Sequence, residues 1–246
     1  MLPIRDVNPT RIRPLITWAI IAINVFVYFV VQPDEVGEAT EFVYQRAAIA
    51  CELTTGEPLS LEEINRETCT DGSEVPLFPD KNVWVAGFVS MFLHGSVAHI
   101  LFNMWSLWIF GNNVEEAFGH VGYLLFYVAA GVAATIGFVA LNTDLTVPLI
   151  GASGAIAGVM GAYLVLFPRH LVLTLIIFRV VAIPAIAFLG FWFFSQFFFA
   201  TEGVAWEAHV AGFLFGALAA LPFRESLLGR TLAGEEQVGT DRSSIF

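Results

Sequence analysis

Six apolar runs divide this chain: Leu15 to Val31, Val97 to Phe110, Val121 to Leu141, Ala152 to Phe167, Val181 to Phe199 and Ala205 to Leu221. A hydrocarbon core about 30 Å thick takes about 20 apolar residues of helix to cross, and most of these runs approach that length. Backbone inside lipid must satisfy its own hydrogen bonds, so a run of this kind is helical. Composition agrees, since 57% of the chain is hydrophobic and 13% charged, against about 25% charged in an average soluble domain. The expected fold is an all-α membrane protein, a six-transmembrane-helix bundle over residues 15–222. A short segment 1–14 precedes it and a tail 223–246 follows. The apolar stretch Val83 to Leu93, ahead of the second run, is expected to lie along the interface.

Basic residues bias loops toward the cytoplasm. Arg5, Arg11 and Arg13 precede the first run, Arg169 and Arg179 flank the fourth-to-fifth connection, and Arg224, Arg230 and Arg242 follow the sixth. Six spans put all eight on one side, which makes both termini cytoplasmic. The long segment 32–83 instead carries twelve acidic residues and three basic ones, Arg46, Arg66 and Lys81, and is expected outside as a solvated cap. The first run is too long for a cleavable signal and lacks a small-residue cleavage site, so it is expected to stay as a span. A net charge of −11 argues against a nucleic-acid partner.

Both cysteines, Cys51 and Cys69, lie in the acidic segment. In an oxidising compartment they could pair and close a short loop; the plain alternative is two free thiols. No second pair of soft ligands is near them, so no zinc site is expected.

Polar side chains inside apolar helices are costly and tend to mark function. The second, fourth and sixth spans run inward from the outer side, so residues near their starts share one depth. Those residues are His99 and Asn103, then Ser153, then His209. Ala152 to Phe167 has sixteen residues, about 24 Å of helix, too short for a full crossing. The fourth helix is therefore expected to be short and sunken, with Asn142 to Ile150 dipping in as irregular backbone that lines a wet cavity. Ser153 is the expected nucleophile and His209 its base, because an imidazole titrates near neutrality and can take a hydroxyl proton. Glu207 points to another face of its helix, so a Ser-His dyad is expected. His99 and Asn103, four residues apart, project from one helix face and with the Ser153 N–H could donate to an oxyanion. His94 is expected to order the loop before them.

Each feature has a plainer explanation. Small residues such as Gly151, Ser153, Gly154, Gly158 and Gly161 serve close helix packing in any membrane protein. His209 beside Gly212 and Gly216, or His99 with Asn103, would serve as interhelical hydrogen-bonding groups. The functional reading rests on coincidence, three motifs falling at one depth on one side. Gly-Ala-Ser-Gly-Ala lacks the last glycine of the soluble hydrolase elbow, His-Glu-x-x-His is absent, and Asp144 is the only aspartate between Asp80 and Asp241. Those absences disfavour a soluble-type hydrolase, a zinc protease and an aspartyl protease in turn.

Taken together, these residues resemble the rhomboid intramembrane serine proteases. The likeness covers His94 through Gly216: His99-Ile100-Leu101-Phe102-Asn103, Gly151-Ala152-Ser153-Gly154, and Ala208-His209 with Gly212 and Gly216. It implies a rhomboid-like bundle that cleaves peptide bonds in or beside transmembrane segments of other membrane proteins, with the bilayer as its medium and without metal or cofactor. Ser153 would be acylated, His209 would be the general base, and His99 and Asn103 would assist the oxyanion. Substrate would enter past the fifth helix and its following loop, where Phe191 to Phe199 would form a mobile wall; a lipid-facing aromatic belt explains the same run equally well. The alternative is a catalytically inactive rhomboid-like protein that binds membrane clients; retention of both Ser153 and His209 weighs against it. No extra helix is evident beside the six, which favours a prokaryotic cytoplasmic membrane. Two positions depart from the family pattern. Trp84 is followed by Val85 where Trp-Arg is common, and Ala157 stands where an aromatic residue often stacks on the histidine, so the group orienting His209 is not legible.

Overall fold

The protein is described here from a computed structural model, over residues 1–70, 74–198 and 203–231. Its elements in chain order begin with β1 (Leu2–Asp6), α1 (Leu15–Phe26, continued by a π-helical turn Val27–Val31) and α2 (Val36–Arg46). Next come β2 (Ala48–Ile49), α3 (Ala50–Thr55), α4 (Leu61–Arg66) and α5 (Val83–Val89). The chain continues through α6 (Val97–Phe118), α7 (His120–Leu141), β3 (Pro148–Leu149) and α8 (Ser153–Leu166). It ends with β4 (Leu171–Ile176), β5 (Arg179–Pro184), α9 (Ala185–Phe198), α10 (Trp206–Ala220) and α11 (Arg224–Leu228).

His120–Leu141 and Trp206–Leu228 are long and apolar enough to cross a membrane, with mean hydropathies of 2.2 and 1.3. Val83–Phe92 and Val97–Phe118 pass the same test as one pair bent by 77°, while Leu15–Val31, Ser153–Leu166 and Ala185–Phe198 are shorter apolar helices. The helices carry large apolar side chains on their exposed faces, among them Phe26, Phe29, Leu125, Ile136, Phe194 and Leu218. That surface suits lipid and not water.

Helix α8 is the centre of the assembly, since eleven of its fourteen residues are buried. Glycines let its neighbour α10 approach backbone to backbone: a Cβ built on Gly212 would lie 2.1 Å from the Gly154 carbonyl oxygen, and one on Gly216 1.9 Å from that of Gly158. Helix α6 runs past its expected end at Phe110 to Phe118. Its polar end is buried because it ties down the start of α1: the Glu115 carboxylate accepts from the backbone N–H groups of Ile16 (2.9 Å) and Thr17 (2.8 Å). It thereby satisfies donors that a helix start leaves orphaned.

The chain is mostly helical, but the all-α expectation needs amending. Strand β4 pairs antiparallel with β1 and with β5 in a three-stranded sheet of order β1-β4-β5, with Leu171 opposite Pro184 and Asp6 opposite Val172. The fifth apolar run therefore starts as strand, and its helix begins only at Ala185. The reason is local: β4 is rich in branched residues and alternates, with Val172 and Thr174 buried between more exposed neighbours. Ile177 and Phe178, both at positive φ, turn the hairpin. Phe199, the last residue of that run, and the tail from 232, including Arg242, lie outside the described residues.

At the other end of α8, β3 pairs with β2 of the acidic segment, Leu149 opposite Ala48. Residues 142–150 are therefore partly ordered as strand instead of wholly irregular. The acidic segment is folded, and Cys51 and Cys69 are joined in a disulfide with Cα atoms 5.7 Å apart. The Lys81 ammonium sits 2.5 Å from the Glu52 carboxylate, both side chains buried, and donates to the Tyr44 carbonyl at 2.6 Å. This pair fixes the start of α5, whose first N–H groups are capped by the Asn82 side chain.

Candidate active site

Ser153 opens α8, so its side chain projects from the mouth of a buried helix. Gly151, two residues earlier, has φ +123°, a backbone state that favours glycine. It is also tightly enclosed, because a Cβ there would stand 2.8 Å from His99 Nε2 and 3.5 Å from Ser153 Oγ. The turn that presents Ser153 therefore packs directly on His99. The Gly151 N–H donates to the Ser90 carbonyl at 3.0 Å, directly after α5 and ahead of the bend into α6.

His209, on the first turn of α10, faces Ser153 across the glycine contact, and its Nε2 lies 2.8 Å from Ser153 Oγ. The hydroxyl donates to that nitrogen when the neutral ring carries its proton on Nδ1. Gly154, Gly212 and Gly216 set the spacing that makes this distance reachable, since any side chain at Gly212 would push α10 away from the Gly154 carbonyl. The packing role and the site role of these glycines are the same fact.

Asn103 is buried on α6, and its amide nitrogen has no hydrogen-bond partner among the described residues. It lines, with His99, Ser153 and His209, a cavity of about 840 Å³ walled by residues of α6, α7, α8 and the 142–151 connection. An unpaired buried amide is costly, so a donor aimed into a cavity is suited to an incoming acceptor. His94 lies just outside this group. Its ring packs edge-on against His99 at 5.0 Å between centroids. Its backbone is clasped by Gln32, which accepts from His94 N–H at 2.9 Å and donates to His94 O at 3.0 Å. Those contacts hold the backbone at His94 against Gln32.

Sequence reasoning missed the second partner of the histidine. His209 Nδ1 lies 2.7 Å from Gln196 Oε1 on α9, and the Trp192 ring sits 5.9 Å from the imidazole at a 38° tilt. Trp192 thus covers the ring that the small Ala157 leaves bare. The available signal was one amide in the aromatic run Phe-Trp-Phe-Phe-Ser-Gln-Phe-Phe-Phe, read there only as a wall.

Comparison with known proteins bears on the family of the chain. A family model described as the rhomboid domain matches residues 81–226. "Rhomboid protease GluP" of Bacillus subtilis is 34% identical over 139 residues, which is 56% of this chain and 25% of that protein. "Putative rhomboid protease YdcA" of the same organism is 37% identical over 95 residues, 36% of this chain and 45% of that protein. "Rhomboid protein 1, mitochondrial" of Saccharomyces cerevisiae is 28% identical over 135 residues, 52% and 39% of the two chains. The chain spans between a quarter and under half of the length of these relatives. A match over more than half of the sequence, on apolar helices that carry its three motifs, places this integral membrane protein in the rhomboid family.

Proposed function

We propose that the chain is an intramembrane serine endopeptidase that hydrolyses peptide bonds in or near transmembrane segments of membrane proteins. The observation that carries this reading is the 2.8 Å contact between Ser153 Oγ and His209 Nε2 at the edge of a cavity large enough for a peptide strand and water. His209 removes the hydroxyl proton as Ser153 attacks the scissile carbonyl, and the C–O bond forms as the carbonyl π electrons move to oxygen. His99, Asn103 and the Ser153 N–H stabilise the resulting oxyanion. The tetrahedral species collapses, the C–N bond breaks, and the histidine returns its proton to the leaving amine. Water, activated by the same imidazole, then releases the acyl group.

In this reading residues 15–222 form a six-span unit with a short, sunken α8, both termini are cytoplasmic, and the acidic segment 32–83 faces out. The exposed phenylalanines Phe191, Phe194, Phe197 and Phe198 of α9 border the side through which a substrate helix enters. Arg5, Arg169, Arg179 and Arg224 on one side, against the twelve acidic residues on the other, support this orientation. The cell membrane of a prokaryote is the proposed location, although four of the relatives are mitochondrial by name.

The test is cleavage of a labelled single-span substrate by the purified protein in detergent. Ser153→Ala and His209→Ala are expected to lose activity by several orders of magnitude while remaining folded. His99→Ala or Asn103→Ala should each cost about 100- to 1,000-fold. A fluorophosphonate probe should label Ser153 alone. Undiminished cleavage by Ser153→Ala would end the serine mechanism, and a folded wild type that neither cleaves nor labels would favour the client-binding alternative.

A further inference from the structure

We propose that Gln196 is the positioning residue of His209, locking the imidazole into the tautomer that presents a basic Nε2 to Ser153. This rests on the hydrolytic reading above for its purpose, but not for its chemistry.

The argument starts one helical turn away. The Trp192 carbonyl can only accept, and it accepts from Ser195 Oγ at 2.6 Å and from Gln196 Nε2 at 3.1 Å. Gln196 Nε2 also lies 3.4 Å from Ser195 Oγ, whose proton is already committed to that carbonyl. Both neighbours of this end of the amide offer lone pairs, so this end must be the NH2 group. A flipped amide would set two carbonyl oxygens 3.1 Å apart. The other end is then the carbonyl oxygen, and it faces His209 Nδ1 at 2.7 Å. An amide oxygen has no proton to give. Nδ1 must therefore carry one and donate it, which leaves Nε2 of the neutral ring with a free lone pair, 2.8 Å from Ser153 Oγ. One backbone carbonyl on α9 thus determines the polarity of a contact on α8 and α10.

The surroundings make this lock effective. Apart from Trp192, Ser195 and Gln196 are the only polar side chains in α9, a helix otherwise built of apolar residues with Phe191, Phe194 and Phe198 outward. A half-buried amide in such a helix is costly unless its bonds are made. Here three are made, all internal. The Trp192 ring covers the imidazole at 5.9 Å, so the histidine is held by a hydrogen bond at its edge and an aromatic side chain beside its face. Glu207, the carboxylate nearest in sequence, takes no part in these contacts. The third group is neutral, so it orients the base without offering a full charge to the imidazolium. Seating of α9 against α10 is thereby a condition for the correct tautomer.

The test reads the tautomer directly. In 15N-histidine NMR of the protein in bilayers above neutral pH, the unprotonated ring nitrogen is identified by its downfield shift, and by coupling to both carbon-bound ring protons when it is Nε2. The His209 signal is assigned by its loss in His209→Ala. Wild type is expected to show Nε2 unprotonated. Gln196→Met, similar in length and unable to accept, should populate the other tautomer and lower kcat about 100-fold with KM little changed. Gln196→Glu can still accept from Nδ1, and in its protonated form its hydroxyl can donate to the Trp192 carbonyl, so it should keep the wild-type tautomer and recover part of kcat; it also serves if the methionine variant does not fold. A wild-type His209 protonated on Nε2, or a Gln196→Met protein whose tautomer is unchanged, would overturn the proposal. Retained cleavage in Ser153→Ala would instead overturn the hydrolytic reading and leave the tautomer result standing.

Discussion

The α8–α10 contact and the folded acidic segment use opposite means to hold their parts together. Between the two helices there is almost nothing but backbone: Gly154 meets Gly212 and Gly158 meets Gly216, with carbonyl oxygens where side chains would otherwise be. The acidic segment is held by a disulfide, a buried Lys81–Glu52 pair, and a capping box in which Ser60 and Glu63 satisfy one another. The difference follows from solvent. Lipid gives apolar side chains no reason to leave it, so spans associate through close packing of small residues. A short polar segment in water lacks the apolar surface for a core of its own and depends on crosslinks and paired charges. Burial opposes both charges of its ion pair, raising the Glu52 carboxyl and lowering the Lys81 ammonium from their ordinary values, and each partner offsets the other's loss of solvent.

The largest expected effect tests the glycine contact. In Gly216→Val the new side chain collides with the Gly158 carbonyl, a backbone group that cannot rotate aside. Overpacking typically costs about 1–3 kcal/mol where side chains can yield. Here the loss should exceed that and appear as collapse of the folded fraction in detergent, together with loss of serine labelling. A Gly216→Val protein that melts like wild type would show that α10 is held by something other than this contact.

Lys81→Met should act on the other region. It leaves Glu52 buried without its cation, and removing one partner of a buried pair costs about 3–5 kcal/mol. Glu52→Gln with Lys81→Met together should recover part of it. The loss is expected as earlier proteolysis within residues 32–82, with labelling of Ser153 retained. Reduction of the disulfide, or Cys51→Ser, comes next, at about 3 kcal/mol for a loop of this length, read in the same way. Should either change abolish labelling before the segment is cut, the two regions are one cooperative unit and the contrast between them fails.

These two regions were unequally legible in the sequence. Runs of apolar residues located α7, α8 and α10 to within a residue or two, because in lipid hydrophobicity alone decides where a helix lies. The same criterion ended α6 too soon at Phe110. Asn113, Glu115 and Glu116 are polar yet buried, and they receive Asp6 of β1, the start of α1 and Arg11 in turn, a tertiary fact no local pattern contains. It also merged β5 with α9, since valine and isoleucine are apolar in either state. The site was legible as motifs around Ser153, His209 and His99-Asn103. Their approach depended on glycine contacts visible only in three dimensions, and Gln196 was hidden among phenylalanines because a single amide carries no periodicity.

The N-terminal strand was illegible for the same reason, and it supplies the most local effect. Asp6 on β1 is docked at the end of the bundle opposite Ser153, accepting from Asn113 Nδ2 at 2.6 Å and from the Tyr163 hydroxyl at 2.8 Å. Burial pushes its carboxyl up to about 6 from 3.8, although the Tyr163 hydrogen bond, a backbone bond and the nearby Arg5 pull the other way. The folded strand therefore holds its proton more tightly than the free chain. A raised carboxyl value means that docking is strongest when both states are protonated, below about pH 4, and weakens as pH climbs toward 6. Above that value both states are ionised and the weakening stops. Amide exchange over residues 2–6, corrected for its intrinsic pH dependence, should show protection falling across this window. Asp6→Asn, which keeps an acceptor oxygen without a charge, should show no such fall. Equal wild-type protection on both sides of the window would mean that Asp6 is solvated, and that the strand is held by its backbone pairing with β4 alone.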